Sequence, residues 1–291
     1  MEWKNIPRGL LMGITDLIPG VSGGTVAFIL GIYDRLLASI SGIFSREWKK
    51  HAAFLMPLGI GIVIALLLFS RIIDYLLTSH FEATQFFFMG LILGVLPYLA
   101  RQAEVKKNFK ARHFTVMIVL GIALAATAWI QPNEAAEPIV SLTVPAFFLL
   151  FFSGWLASMA MLLPGISGSF ILLLIGVYST AINALTTFNI PVALAIGSGI
   201  IIGFLVSSKV ISYLLQNFTH VMYAAIIGLI LGSLFVIFPG FASDTSALIT
   251  SGITFAAGLI LTLTFSSPKK TDLAGAVEEK RVSTNAISNK E

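Results

Sequence analysis

Pro19-Gly20-Val21-Ser22-Gly23-Gly24-Thr25 interrupts a long apolar run with residues that can do chemistry. Glycines let backbone N–H groups converge. A helix that starts after such a break opens with free N–H groups at the positive end of its macrodipole. Ser22 and Thr25 add hydroxyls, and the set suits an anion. The motif returns as Pro164-Gly165-Ile166-Ser167-Gly168-Ser169, 145 residues on from Pro19 to Pro164. Leu30-Gly31-Ile32-Tyr33 is answered by Ile175-Gly176-Val177-Tyr178 at the same offset. Small residues also serve close helix packing. Two breaks in corresponding places of two halves point instead to a transporter's binding site.

The repeat continues past the breaks and pairs two cations. Ser70-Arg71-Ile72-Ile73-Asp74-Tyr75-Leu76-Leu77 resembles Ser208-Lys209-Val210-Ile211-Ser212-Tyr213-Leu214-Leu215, now 138 residues apart. Gly90-Leu91-Ile92-Leu93-Gly94 recurs unchanged as Gly228-Leu229-Ile230-Leu231-Gly232 at that offset. Arg71 and Lys209 are flanked by apolar residues, where a charge snorkels to the interface or faces a shared anion site. The symmetric pair predicts that both turn inward toward the breaks. An Arg fork grips phosphate bidentately, whereas Lys acts as a point charge. Asp74, three residues after Arg71 on the same helical face, pairs with it or carries a proton. Asp16 precedes the first break, and its repeat counterpart is Met161. It is a proton site or a residue at the cytoplasmic mouth. The candidate headgroup contacts are therefore Ser22, Gly23, Gly24, Thr25, Arg71, Ser167, Gly168, Ser169 and Lys209, with Asp16 and Asp74 as candidates for ion coupling.

The elements that must position these residues are membrane helices. The chain has 291 residues, 57% of them hydrophobic and only 11% charged, which describes an integral membrane protein rather than a soluble enzyme. Cys is absent, which excludes disulfides and thiolate chemistry. Walker A, His-Glu-x-x-His and Gly-x-Ser-x-Gly patterns are absent too, so no catalytic residue, metal, cofactor or nucleic-acid partner is expected. The four histidines, His51, His80, His113 and His220, fall near expected span ends. The N-terminal segment reads as mature sequence rather than a signal peptide.

Residues 6–18 and 25–33 are each too short to cross a core of about 30 Å. They read as two arms of a re-entrant hairpin, or as one kinked helix over 9–37. A loop over 38–51 follows, then spans over 52–77, 83–100 and 114–130. In the second half, 142–163 and 166–182 flank the second break, followed by spans over 190–215, 221–238 and 246–265. Arg101, Lys106, Lys107, Lys110 and Arg112 mark the cytoplasmic side, and the 131–138 loop, with Glu134 and Glu137, lies outside. The expected fold is an all-α polytopic membrane protein of two inverted-topology repeats, each a re-entrant Pro-Gly helical hairpin plus three transmembrane helices. The repeats occupy 1–138 and 139–265, and 266–291 is a polar cytoplasmic tail of disordered composition. The arms around Pro164 are long enough to be two full spans, which charge counting does not separate from a hairpin.

The two Pro-Gly-x-Ser-Gly motifs and the repeat resemble the PopT-type polyprenyl-phosphate translocases (domain of unknown function 368), over about residues 6–265. The first motif, followed by Gly24-Thr25, is the most specific part; Ser169-Phe170 departs from it in the second copy. The resemblance implies a lipid flippase in the bacterial plasma membrane, multi-pass with both termini cytoplasmic. It would return undecaprenyl phosphate from the outer to the inner leaflet for cell-envelope biogenesis. Bringing negative charge to a negative inside opposes the membrane potential, which leaves co-movement of a proton or of a cation such as sodium, or exchange of anions, as the open couplings. A carrier of a small soluble anion, and a membrane-embedded lipid phosphatase or transferase, are the competing functions. If Arg71 grips phosphate through its fork, Arg71→Lys loses much of the transport in an uptake assay at matched protein levels. Wild-type transport by that variant removes the bidentate role.

Overall fold

The computed structural model describes residues 1–17, 22–130, 137–240 and 244–265. Pro19, Gly20 and Val21, Glu134 and the 266–291 tail lie outside them. Every regular element among the described residues is helical: α1 (Asn5–Asp16), α2 (Gly23–Ile29), α3 (Tyr33–Gly42), α4 (Trp48–Ser79), α5 (Phe81–Gln102), α6 (Val105–Asn108), α7 (Ala111–Ala126), α8 (Val144–Leu162), α9 (Gly168–Ile175), α10 (Tyr178–Thr186), α11 (Ile190–Asn217), α12 (Thr219–Ile237) and α13 (Thr245–Phe265). Of these, α4, α5, α7 with the turn that extends it to Trp129, α8, α11, α12 and α13 are long and apolar enough to cross a membrane. The chain is a multi-pass membrane protein. Its outer faces are apolar where a soluble protein would be charged; Leu67 is 74% exposed and Ile122 64%.

The first 42 residues double back. The Glu2 N–H donates to the Ala53 carbonyl (3.0 Å), and Arg35 pairs with the Glu2 carboxylate. The Arg35 guanidinium also lies 4.7 Å from the centroid of the Phe54 ring. Residues 2 and 35 are thus neighbours, although α1 alone carries the chain about 18 Å away. The second half repeats this turn-back. The Ile139 N–H donates to Thr180 Oγ1 (3.0 Å) and Asn189 Nδ2 to the Val140 carbonyl (2.8 Å), so the start of α8 lies beside α10 and α11. The two returning arms differ from the sequence expectation. A single arm over 166–182 was expected, but it breaks into α9 and α10, bent by 108°. Gly176 makes that corner at φ +82°, and Gly31 makes the equivalent one at φ +65°, backbone that other residues rarely adopt. The expected loop over 38–51 is in part α3, whose polar Asp34 and Arg35 open an amphipathic helix rather than end a span.

Glycines set the close packing, and the same contacts recur at the repeat offsets. A Cβ at Gly61 of α4 would lie 2.2 Å from the Ile6 carbonyl oxygen of α1; at Gly199 of α11 it would lie 2.0 Å from the Phe151 oxygen of α8. The long helices cross over between halves. A Cβ at Gly90 of α5 would meet the Phe255 oxygen of α13 at 2.1 Å, and at Gly228 of α12 the Met117 oxygen of α7 at 2.3 Å. Each half therefore packs a long helix against the last long helix of the other. Large fully buried side chains come from several of these helices: Leu37 of α3, Phe54 of α4, Leu99 of α5, Leu150 of α8, and Ile226 and Ile230 of α12. Next to the crowded positions, Gly59 and Gly197 have no atom within 4 Å of such a Cβ. Gly61→Ala and Gly199→Ala should each cost about 1–3 kcal/mol of stability by overpacking. Gly59→Ala and Gly197→Ala should be close to neutral. Melting of the purified protein in detergent checks the contrast.

Candidate functional site

The helical breaks follow from local chemistry. α8 stops at Leu162, and Leu163, which precedes Pro164, is extended, as a residue before proline is driven out of helical backbone. Gly165, at φ +91°, turns the chain where a Cβ would lie 2.9 Å from the backbone of Leu229 and Ile230 in α12. α9 then restarts at Gly168. At the first break α1 ends at Asp16 and α2 restarts at Gly23. Here the Ser22 hydroxyl caps the new helix by accepting from the Gly24 N–H (3.1 Å).

The structure brings the two breaks together. The Gly165 N–H donates to Thr25 Oγ1 (3.1 Å), and Ser22 Oγ donates to the Met161 carbonyl (3.3 Å). Tyr33 Oη donates to the Leu162 carbonyl (2.8 Å), which α8 leaves free at its end. Ser22, Thr25 and Ser167 are buried, and Ser167 and Ser169 share a hydrogen bond of 2.9 Å. Sequence reasoning missed Tyr33 as a tip residue, although it lies in the repeated Leu30–Tyr33 block.

The two tips are not chemically alike. Asp16 reaches across the first break, and its Oδ1 accepts from the Gly23 N–H (2.7 Å). The carboxylate thus sits where an anion was expected. At the second break no side chain caps α9, and Met161 stands at the position equivalent to Asp16. Two cavities flank this pair. One, of about 200 Å³, is lined by Met12, Asp16, Gly23, Gly24 and Met161 together with α3, α4 and α11 side chains. The other, of about 220 Å³, is lined by Asp16, Ala157, Ser158, Met161, Ser167, Gly168, Ser169, Leu172 and Ile200. Asp16 and Met161 border both, and Asp16 is the one ionisable side chain in either lining.

Arg71 and Lys209 depart from expectation. Both side chains are exposed, and among the described residues neither lines these two cavities nor makes an ion pair. Asp74 is exposed as well and does not pair with Arg71. Helical phase explains the outcome. The buried stripe of α4 runs through Phe54, Leu58, Gly61, Ala65 and Ile73, and Arg71 lies about 200° around the helix from Ile73. Lys209 stands in the same relation to buried Ile211 on α11. Both helices also exceed the roughly 30 Å hydrocarbon core, which leaves room for the charges near an end.

The sequence matches the model of the VCA0040-like, undecaprenyl phosphate translocase-like family over residues 12–255. It is 42% identical over 271 residues to a polyprenyl-phosphate transporter of Staphylococcus aureus, covering 90% of this chain and 95% of that one. A polyprenyl-phosphate transporter of Vibrio cholerae is 37% identical over 245 residues, covering 80% and 76%. No solved structure matches. With a family match over most of its length and two relatives that span most of theirs, the chain belongs to the undecaprenyl phosphate translocase-like family.

Proposed function

We propose that this protein translocates a polyprenyl phosphate, returning undecaprenyl phosphate from the outer to the inner leaflet of the bacterial plasma membrane for envelope synthesis. The observation that carries the reading is the meeting of the two glycine-rich tips through the Gly165 N–H and Thr25 Oγ1. Relatives that span most of this chain bear the name of polyprenyl-phosphate transporter. On this reading the turn-backs are re-entrant hairpins of two inverted-topology repeats. Each has both ends on one membrane face and its tip near the midplane. Support comes from α11, which begins at the base of the second hairpin and packs on α3 at the base of the first. On this reading the cluster from Arg101 to Arg112 faces the cytoplasm, as the positive-inside bias favours, and both termini lie on that side.

Ser22, Gly23, Gly24 and Thr25 with Ser167, Gly168 and Ser169 form the headgroup site. Arg71 and Lys209, exposed at equivalent places on α4 and α11, supply positive charge on the approach to it. Moving one negative charge to a negative inside costs about 2.3 kcal/mol per 100 mV. Asp16, the acid between the cavities, offsets that cost by moving a proton or sodium ion with the phosphate. Asp74 is the second candidate for that role.

The direct experiment is detection of undecaprenyl phosphate at the outer surface of cells with and without the protein. Accumulation outside without it is expected, and an unchanged distribution overturns the reading. Thr25→Val leaves the Gly165 N–H unpaired at a cost of about 1–3 kcal/mol and should cut transport, while Thr25→Ser keeps the acceptor and most of the rate. Asp16→Asn retains an acceptor for Gly23, so the protein should fold. Its transport should no longer respond to the ion gradient, and an unchanged response would clear Asp16 of coupling.

A further inference from the structure

The base of the first hairpin carries a charged pocket that the repeat does not duplicate. A cavity of about 530 Å³ lies there, lined by Met1, Glu2, Trp3, Lys4, Arg8 and Arg35. Its walls are pinned to α4. The Glu2 N–H donates to the Ala53 carbonyl, and Arg35, paired with the Glu2 carboxylate, lies over the Phe54 ring. Arg8 is held differently. Its Nη1 donates to Asn5 Oδ1 (2.9 Å), and Asn5 Nδ2 donates to the Phe54 carbonyl (3.3 Å). A neutral amide thus aims this guanidinium and leaves its charge uncompensated. Among the described residues neither Arg8 nor Lys4 makes an ion pair. Three cationic side chains against one carboxylate leave the lining with two positive charges in excess.

The second half shows what packing alone requires at this place. Gly9 and Gly154 are equivalent, and each sits against a matching carbonyl, Leu58 of α4 or Ile196 of α11. One turn earlier, Asn5 corresponds to Leu150, and both are fully buried. Lys4, Arg8 and Arg35 correspond to Leu149, Ser153 and Thr180. Hydrocarbon therefore fills the Asn5 position, whereas an amide there must find its hydrogen bonds inside the protein. What the amide adds is its hold on Arg8. Basic residues gather at one end of membrane helices for orientation alone. Orientation does not need a buried side chain to aim one of them.

We infer that this pocket binds a phosphate group carrying close to two negative charges, with Arg8 and Lys4 as its contacts and Asn5 as the residue that positions Arg8. A phosphomonoester carries about 1.5–2 negative charges at neutral pH, which matches the excess in the lining. The guanidinium fork suits two phosphate oxygens, and Lys4 adds a point charge. A phosphodiester headgroup, with one charge, fits less well. The group belongs either to a lipid or to free inorganic phosphate. Arg8 lies about 12 Å along α1 from Asp16, so the pocket is separate from the tips and the inference does not rest on the headgroup site there.

Trp3 lines the pocket and reports on it. The purified full chain in a nonionic detergent is titrated with inorganic phosphate, with dodecyl phosphate and, as a diester, with phosphatidylglycerol, while tryptophan emission is followed. The share of the change that Trp3→Phe removes comes from this pocket. Dodecyl phosphate should produce it at lower concentration than phosphatidylglycerol. An equal response to inorganic phosphate makes the free ion a sufficient ligand, and a response to dodecyl phosphate alone makes the ligand a lipid headgroup. Arg8→Gln should raise the midpoint about tenfold or more, as expected for losing a hydrogen bond from a charged group. Where Arg8→Gln does not fold, Arg8→Lys keeps the charge, removes the fork and should lose affinity in the same direction. Asn5→Leu keeps every charge and installs the residue that the second half uses. It should melt like the wild type yet weaken binding about threefold or more. No emission change that depends on Trp3, a midpoint unmoved by the Arg8 and Asn5 variants, or phosphatidylglycerol binding as tightly as dodecyl phosphate overturns the inference. None of these outcomes bears on the tips, whose test is transport.

Discussion

Backbone amides inside hydrocarbon must find partners within the protein, at several kcal/mol for each one that does not. A helix broken at mid-depth therefore cannot stand alone. Here each break is completed by the other. The Gly165 N–H of one half is taken up by Thr25 of the other, and the Met161 and Leu162 carbonyls by Ser22 and Tyr33. The long helices follow from that demand. Glycine contacts draw α1 against α4 and α8 against α11, and the crossed pairs α5 with α13 and α12 with α7 clasp the halves together. The result is polar backbone held inside an apolar shell.

Near-symmetry makes the exceptions informative. Asp16 closes the first tip by accepting from Gly23, and Met161 leaves the second tip uncapped. One tip thus carries its own carboxylate, and the other has no side-chain cap, its two serines bonded to each other. A perfectly duplicated site would hold two carboxylates or none.

Much of this architecture was legible in the chain. The offsets of 145 and 138 residues name the equivalent helices, because Pro, Gly and the repeated blocks survive where apolar residues interchange freely. The meeting of the breaks also followed from their placement. The facing of Arg71 and Lys209 did not. Apolar neighbours on both sides hide helical phase, which is set by the partner helix. The stripe of Pro57, Gly61 and Ala65 was the available signal, since small residues mark the face that another backbone approaches. The role of Asp16 was hidden for another reason: its partner Gly23 lies seven residues on, across a turn whose geometry no periodicity specifies. The split between α9 and α10 was signalled only by Gly176, since the sequence around it stays apolar.

The central claim is that the phosphate is held between the two tips. A structure of the protein with bound polyprenyl phosphate tests it most directly. The account predicts phosphorus density between the 22–25 and 167–169 segments, within hydrogen-bonding reach of Ser167 and Ser169. Phosphorus beside Arg71 on the outer face of α4, with the tips unchanged and empty, would contradict it.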